Sequence, residues 1–135
     1  MAFSPDAPSV WLVDDDEDDQ RLICSAFLEG DPSIQIRTLN DGEELLPALV
    51  NCPKLPLLIL LDINMPRQNG FETLTELRNI PAFSDLPVIM LTTSSADEDR
   101  QRSLALGANQ FLTKPLSYKQ LRYMAQALSQ EWALL

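Results

Sequence analysis

A doubly wound α/β architecture, five parallel strands in the order 2-1-3-4-5 built as (βα)5, is the expectation for this chain. Strand-like and helix-like patterns alternate along its whole length, with no linker, repeat or low-complexity tract between them. Such alternation implies parallel strands joined by right-handed crossovers, with helices on both faces. The run Leu57-Leu58-Ile59-Leu60-Leu61 is wholly apolar, as a strand buried on both faces must be. It ends in Asp62, a carboxylate that is costly to desolvate unless a cation or a reaction needs it there. Ligands of open α/β sheets gather at this carboxyl edge of the strands.

Val10-Trp11-Leu12-Val13 reads as the first strand. The helix after it places Leu22, Ile23, Ala26 and Phe27 on one face and stops at Gly30-Asp31-Pro32. Residues 34–39 alternate as a second, outer strand. Asp41-Gly42-Glu43-Glu44 opens a short helix, in which Pro47 predicts a kink or early fraying. Residues 57–61 form the third strand, and Phe71, Leu74 and Leu77 mark the third helix. Pro87 starts a fourth strand, Val88-Ile89-Met90-Leu91. Ser95-Ala96-Asp97-Glu98 fits a capping box for a fourth helix that ends at Gly107. This helix is almost wholly polar between Ala96 and Ser103, so it should bury little and be loosely held. Gln110-Phe111-Leu112 is a short fifth strand. The last helix opens on a second capping box, Ser117-Tyr118-Lys119-Gln120, and carries Leu121, Met124, Ala125, Leu128 and Trp132 on one stripe, with Tyr123 off it.

At 135 residues the chain is expected to be one domain, 1–135, with its core at about 10–128. The net charge of −10 opposes binding to a nucleic-acid backbone. The absence of histidine excludes Ser-His-Asp hydrolysis, His-ligated zinc and any role as a phosphohistidine donor. A bound metal should then be hard and held by oxygen, such as Mg²⁺. Cys24 and Cys52 have no metal spacing and fit a reducing compartment; Cys24 reads as a small core hydrophobe. Met1 to Ser9 lacks a signal pattern and no stretch is long enough for a membrane helix, so a cytoplasmic protein is expected.

Four strands deliver polar groups to one edge: Asp14-Asp15-Asp16-Glu17, Asp62, Thr92-Thr93-Ser94, and Lys114-Pro115 after Thr113. Asp14, Asp15 and Asp62 bring three negative charges to the crevice between strands 1 and 3, and like charges at close range repel. One Mg²⁺ and Lys114 would neutralise them. Because Mg²⁺ keeps few carboxylates and accepts phosphate oxygens, the site suits a phosphoryl group as well as a metal. Asp62 can act as nucleophile, with Lys114 and Thr92 on the transferred oxygens. Asp16, Glu17, Asp18 and Asp19 read as a solvated, favourable first turn of the first helix. An EF-hand does not fit, since the sixth position from Asp14 is Asp19 and the twelfth is Ser25.

In this order, Val13-Asp14-Asp15-Asp16, Leu61-Asp62-Ile63-Asn64-Met65-Pro66 with Gly70, Leu91-Thr92-Thr93-Ser94 and Thr113-Lys114-Pro115 resemble the receiver domain of two-component response regulators, a CheY-like, flavodoxin-like fold. The likeness spans about residues 10–128. Residues 65–72 and the Thr-Thr-Ser-Ser run are most similar to stand-alone regulators associated with phytochromes and hybrid kinases. The resemblance implies that Asp62 is the phosphoacceptor and that Asp15 and Asp62 bind Mg²⁺ by side chain. It further implies a ligand in the Asn64 backbone carbonyl, with Asp14 supporting the metal through water. Thr92 would be the switch hydroxyl, Lys114 the phosphate-pairing amine, and Lys114-Pro115 a cis peptide. Phe111 falls where the family carries a switch aromatic, often tyrosine; it would turn inward on phosphorylation, and plain core is its other reading.

A partner histidine kinase or phosphotransfer protein would supply the phosphoryl group. The phosphorylated form would then act by conformational switching and contact with a downstream protein. With no output domain after the last helix, no nucleic-acid partner and no membrane are expected. Family members often self-associate through the fourth helix, fifth strand and fifth helix, which admits a homodimer by that region. Two alternatives stand beside this reading. A small phosphatase of the haloacid-dehalogenase type would need a second acid where Asn64 stands. A phosphorylation-independent receiver scaffold would not need Asp15, Asp62, Thr92 and Lys114 intact.

Overall fold

A computed structural model describes residues 9–132. Residues 1–8 and 133–135, the two ends of the span read as one domain, lie outside the described residues. The elements alternate as β1 (Ser9–Val13), α1 (Glu17–Gly30), β2 (Gln35–Leu39), α2 (Leu45–Asn51), β3 (Leu58–Leu61), α3 (Gly70–Arg78), β4 (Val88–Thr92), α4 (Asp97–Ala105), β5 (Gln110–Thr113) and α5 (Tyr118–Glu131). Short 3-10 turns at Gly42–Glu44 and Pro81–Phe83 precede α2 and β4. All strand pairs are parallel, in the order β2-β1-β3-β4-β5. β1 and β3 are therefore neighbours at the point where the connections reverse, and Val13 lies opposite Leu61.

Strand alternation divides the core in two. Trp11, Val13, Ile59, Leu61 and Met90 face α2 and α3, packing on Leu45, Leu49, Phe71, Leu74 and Leu77. Val10, Leu12, Leu58, Leu60, Ile89 and Leu91 face α1 and α5, packing on Ile23, Phe27, Leu121, Ala125 and Leu128. Leu57, the first of the apolar run expected as the strand, precedes β3 and is 39% exposed, but the four residues of β3 are buried throughout. Each such side chain contributes about 1.5–3 kcal/mol on leaving water. That burial fixes where β3 stops, and so where Asp62 stands.

Several local expectations are corrected. Leu22 is 47% exposed, because the buried stripe of α1 is Ile23, Ala26 and Phe27, and Leu22 lies about 100° to its side. Pro47 does not end the helix expected after Asp41, which is a 3-10 turn at Gly42–Glu44 and then runs as α2 through Pro47 to Asn51. The helix begins at Leu45, so the missing N–H falls in the first turn, where no intrahelical partner exists. The Ser95 capping box does not form: the cap position is Ala96, without a side-chain cap. Ser94 Oγ accepts the N–H of Ala96 itself at 3.2 Å and donates to Asp99 Oδ2 at 2.5 Å, which braces the turn before α4 but caps none of the helix's first N–H groups. At α5 the Ser117 side chain does cap, accepting the Gln120 N–H at 3.2 Å. Tyr123 is exposed, and Trp132 packs against the α1–α5 side of the core. No helix among the described residues is long and apolar enough to cross a membrane.

Candidate functional site

β1 and β3 end side by side, and the chain leaving each turns away after one residue. Asp62 N–H donates to Val13 O at 3.0 Å and Asp14 N–H to Leu39 O at 3.0 Å, so both acids extend the ladder as its last rung. Asp14 is fully buried and Asp62 nearly so, while Asp15 faces solvent. One carboxylate oxygen from each of Asp14, Asp15 and Asp62 lies within 4.8 Å of the other two. The structure thus brings together the three acids predicted to share a crevice. Asp62 Oδ1 accepts the Ile63 N–H at 2.8 Å, which orients the carboxylate, and Asp14 Oδ1 accepts the Asp16 N–H at 3.0 Å.

Lys114 enters from the end of β5, where its backbone N–H donates to Thr92 O at 2.7 Å. Its Nζ stands 2.7 Å from Asp14 Oδ2, 2.7 Å from Asp19 Oδ2 and 3.5 Å from Asp62 Oδ2. Burial alone would lower the lysine pKa. The carboxylates of Asp14 and Asp19, with the charge of Asp62, outweigh it and hold the ammonium above its ordinary range. Burial pushes the Asp14 carboxyl up and the charge of Asp62 adds to this, against the opposing pull of Lys114 and the Asp16 N–H. A buried acid raised in this way is short of positive charge. Three clustered carboxylates with hard oxygen donors therefore fit a divalent cation, which would relieve the repulsion that one ammonium leaves.

Thr92 closes β4, fully buried, opposite Thr113 of β5. Its Oγ1 meets the Ser94 N–H at a long 3.4 Å. Asn64 is exposed in the loop that follows Asp62. Phe111 is buried at 3% exposure, with the Arg100 guanidinium 5.2 Å above its ring. The cis expectation for Lys114-Pro115 is overturned: no cis peptide occurs among the described residues. Trans is the preferred form even before proline, by about 0.5–1 kcal/mol. The trans chain already carries Nζ into the acidic cluster.

Two residues of the site escaped the sequence reading. Asp19, taken as part of a solvated turn, is a direct partner of Lys114. Asp41, only 4% exposed, accepts N–H bonds at 3.0 Å from Glu43, Arg67 and Gln68, tying the end of β2 to the loop that follows Asp62 and Asn64. Burial raises its pKa, but these three donors prevail and hold it below the usual carboxylate range. Arg67 adds a surface ion pair with Glu43 at 2.7 Å. Both acids had a signal. Asp41 follows a strand end, like Asp14 and Asp62, and Asp19 lies four residues before Ile23, on the buried stripe of α1.

The profile of the response regulator receiver domain matches residues 10–126. Response regulator Rcp1 of Synechocystis is 33% identical over 129 residues, covering 91% of this chain and 87% of that protein. Among solved structures, the phosphorylated cyanobacterial phytochrome response regulator RcpA is similar with a TM-score of 0.86 at 31% identity, over 94% of each chain. The Mn²⁺-bound form of Rcp1 is similar with a TM-score of 0.80 at 32% identity, over 93% of this chain and 94% of that one.

Proposed function

This chain belongs to the response regulator receiver domain family, and from that premise we propose that Asp62 receives a phosphoryl group with Mg²⁺ bound beside it. Receiver domains are signalling proteins of two-component systems, not a family of catalytic enzymes, and they interact with histidine kinases or downstream partners. Resemblance to RcpA and Rcp1 supports the stand-alone, phytochrome-associated type. The observation that carries the reading is the cluster of Asp14, Asp15 and Asp62 with Lys114 in reach.

In the proposed reaction a kinase or phosphotransfer protein presents phosphohistidine. A carboxylate oxygen of Asp62 attacks phosphorus, the N–P bond breaks, and its electron pair returns to the imidazole. Asp15 and Asp62 side chains, the Asn64 carbonyl and, through water, Asp14 would hold Mg²⁺, whose charge would offset that gathering on the phosphoryl oxygens. Lys114 neutralises the same oxygens from the β5 side, and the Thr92 hydroxyl donates to one of them. Thr92 and Phe111 then bias the surface of α4, β5 and α5 between two arrangements. Hydrolysis of the acyl phosphate resets the protein, so its own chemistry is limited to self-phosphorylation and self-dephosphorylation. The proposal includes one domain over residues 1–135 with its core at about 10–128, a cytoplasmic setting, and self-association by the α4-β5-α5 surface.

Mass spectrometry after incubation with Mg²⁺ and acetyl phosphate tests it. A phosphoryl adduct should appear on the wild-type chain and vanish in Asp62→Asn; an undiminished adduct in that variant would falsify the assignment.

A further inference from the structure

We propose that Asp19 is a positioning residue for phosphoryl transfer: in the resting protein it holds the Lys114 ammonium aside from Asp62 and so slows arrival of the phosphoryl group. The inference rests on reading Asp62 as the phosphoacceptor. Lys114 Nζ is 2.7 Å from Asp19 Oδ2, an ordinary length for a charge-assisted hydrogen bond, but 3.5 Å from Asp62 Oδ2, beyond that length. The ammonium is largely withdrawn from solvent, its side chain 10% exposed, so its contacts decide where it sits: Asp14 holds it at 2.7 Å on the β1 side of the crevice, and Asp19 draws it at the same distance toward α1. Asp19 is well placed to hold it. Its backbone N–H is fixed to the capping carboxylate of Asp16 at 3.0 Å, and four residues on Ile23 anchors the same face of α1 in the core.

Two consequences act in the same direction. The transferred phosphoryl group spreads negative charge over its oxygens, and Lys114 is the cation beside Asp62. To meet those oxygens the ammonium must give up part of its bond to Asp19. Asp19 also adds a fourth negative charge to those of Asp14, Asp15 and Asp62. Since Asp19 and Asp62 both approach one ammonium, they stand within roughly 6 Å of each other, close enough for an arriving anion to be repelled. Asp18 provides an internal contrast. It carries the same charge one residue earlier, but its side chain is 83% exposed and pairs with Arg21 in solvent.

The experiment follows the rate of adduct formation from acetyl phosphate at saturating Mg²⁺. In this reaction Asp62 forms the new O–P bond while the donor's O–P bond breaks and its electron pair leaves with acetate. Asp19→Asn should gain the adduct three- to tenfold faster, the effect of losing one unit charge at about that distance in a partly solvated site. Asp19→Ala, which removes the same bond and charge while leaving the lysine its contact with Asp14, should behave alike. Asp19→Glu restores the charge and should return to within about twofold of wild type. Asp18→Asn should leave the rate unchanged, which a mere change in net charge would not. Thermal melts within a few degrees of wild type show that each variant is folded. An Asp19→Asn rate at or below wild type overturns the inference, as does an equal acceleration in Asp18→Asn. Absence of an adduct on the wild-type chain would instead remove the phosphoacceptor reading on which the inference stands.

Discussion

Gly70 opens α3 directly beneath the backbone of Asp62, and replacing it with alanine should damage both the fold and the site. A Cβ there would lie 2.3 Å from the Asp62 carbonyl oxygen, 2.8 Å from Met90 Cε and 2.9 Å from Ile63 Cα. The methionine terminus can swing away, but two of the three atoms are backbone, so the start of α3 must retreat from the end of β3 by about 1 Å to reach ordinary contact. That retreat stretches the bond from Gly70 N–H to Ile63 O, now 2.8 Å. Overpacking of this kind costs about 1–3 kcal/mol. The better helix propensity of alanine returns at most about 1 kcal/mol, and less at the first helical position. The net is a loss of about 2 kcal/mol, or roughly 6–10 °C in Tm for a chain of this length. A reacting group displaced by about 1 Å can also lose up to roughly 100-fold in rate. Gly30→Ala is the matched control: nothing lies within 4 Å of its Cβ at the end of α1, and it should be neutral or gain a few tenths of a kcal/mol, of order 0.4. Thermal denaturation by circular dichroism and the acetyl phosphate adduct rate measure the two effects. If Gly70→Ala melts at or above wild type and gains its adduct at the wild-type rate, the close approach does not position Asp62.

Asp41→Ala should cost about 2–4 kcal/mol, since it orphans the N–H groups of Arg67 and Gln68 in a partly buried setting. Because the folded pKa of Asp41 is lowered from 3.8, its contribution is present in full above that value and is lost as pH falls through the folded pKa. Denaturant melts at pH 7 and near pH 3 should therefore show the gap between wild type and Asp41→Ala narrowing on the acid side; a gap that widens there refutes this role. Mg²⁺ at about 100 times its Kd should stabilise the wild-type chain by about 2.7 kcal/mol, reversibly with a chelator, and Asp15→Asn should abolish most of this. An Asp15→Asn chain that still gains the same Tm from Mg²⁺ would place the cation elsewhere.

The legible parts of this molecule were those written in short-range pattern. β3 announced itself by an apolar run that only a doubly covered strand can use, and four of the five strand ends named their own polar groups. Once the strand order was inferred, Asp14, Asp15 and Asp62 had to meet, and they do. What stayed hidden depends on contacts between distant parts of the chain. The bond between Asp19 and Lys114 spans 95 positions, and its direction depends on how α1 is rotated about its axis. The rotation that buries Ile23 exposes Leu22 and aims Asp19 at the site, so one misjudged helical face concealed both facts. Sequence pattern gives Asp41 only the opening of a short helix, because its bonds to the Arg67 and Gln68 N–H groups span 26 and 27 positions. Ser95 does not cap α4 because the helix starts one residue later than the pattern suggests, with Ala96 at the cap position.

The way the helices are attached bears on where a signal would leave the domain. α3 buries five residues and is clamped at its start by a full capping box between Asn69 and Glu72. α4 buries only Ser103, with its hydroxyl lacking a partner among the described residues. Two guanidinium contacts join it to its neighbours, Arg100 over Phe111 of β5 at 5.2 Å and Arg102 over Phe71 of α3 at 4.1 Å. Exposed contacts of this type are worth about 0.5–1 kcal/mol each. α4 thus has far less buried surface to hold it than α1, α3 and α5, which are bound to the sheet by their apolar faces. Phenylalanine at position 111 has no hydroxyl to exchange, so any message it passes must travel through ring packing and the Arg100 contact. On the proposed reading, the loosely held helix beside Thr92 and Lys114 is the part of the fold that a phosphoryl group on Asp62 can move at least expense to the core.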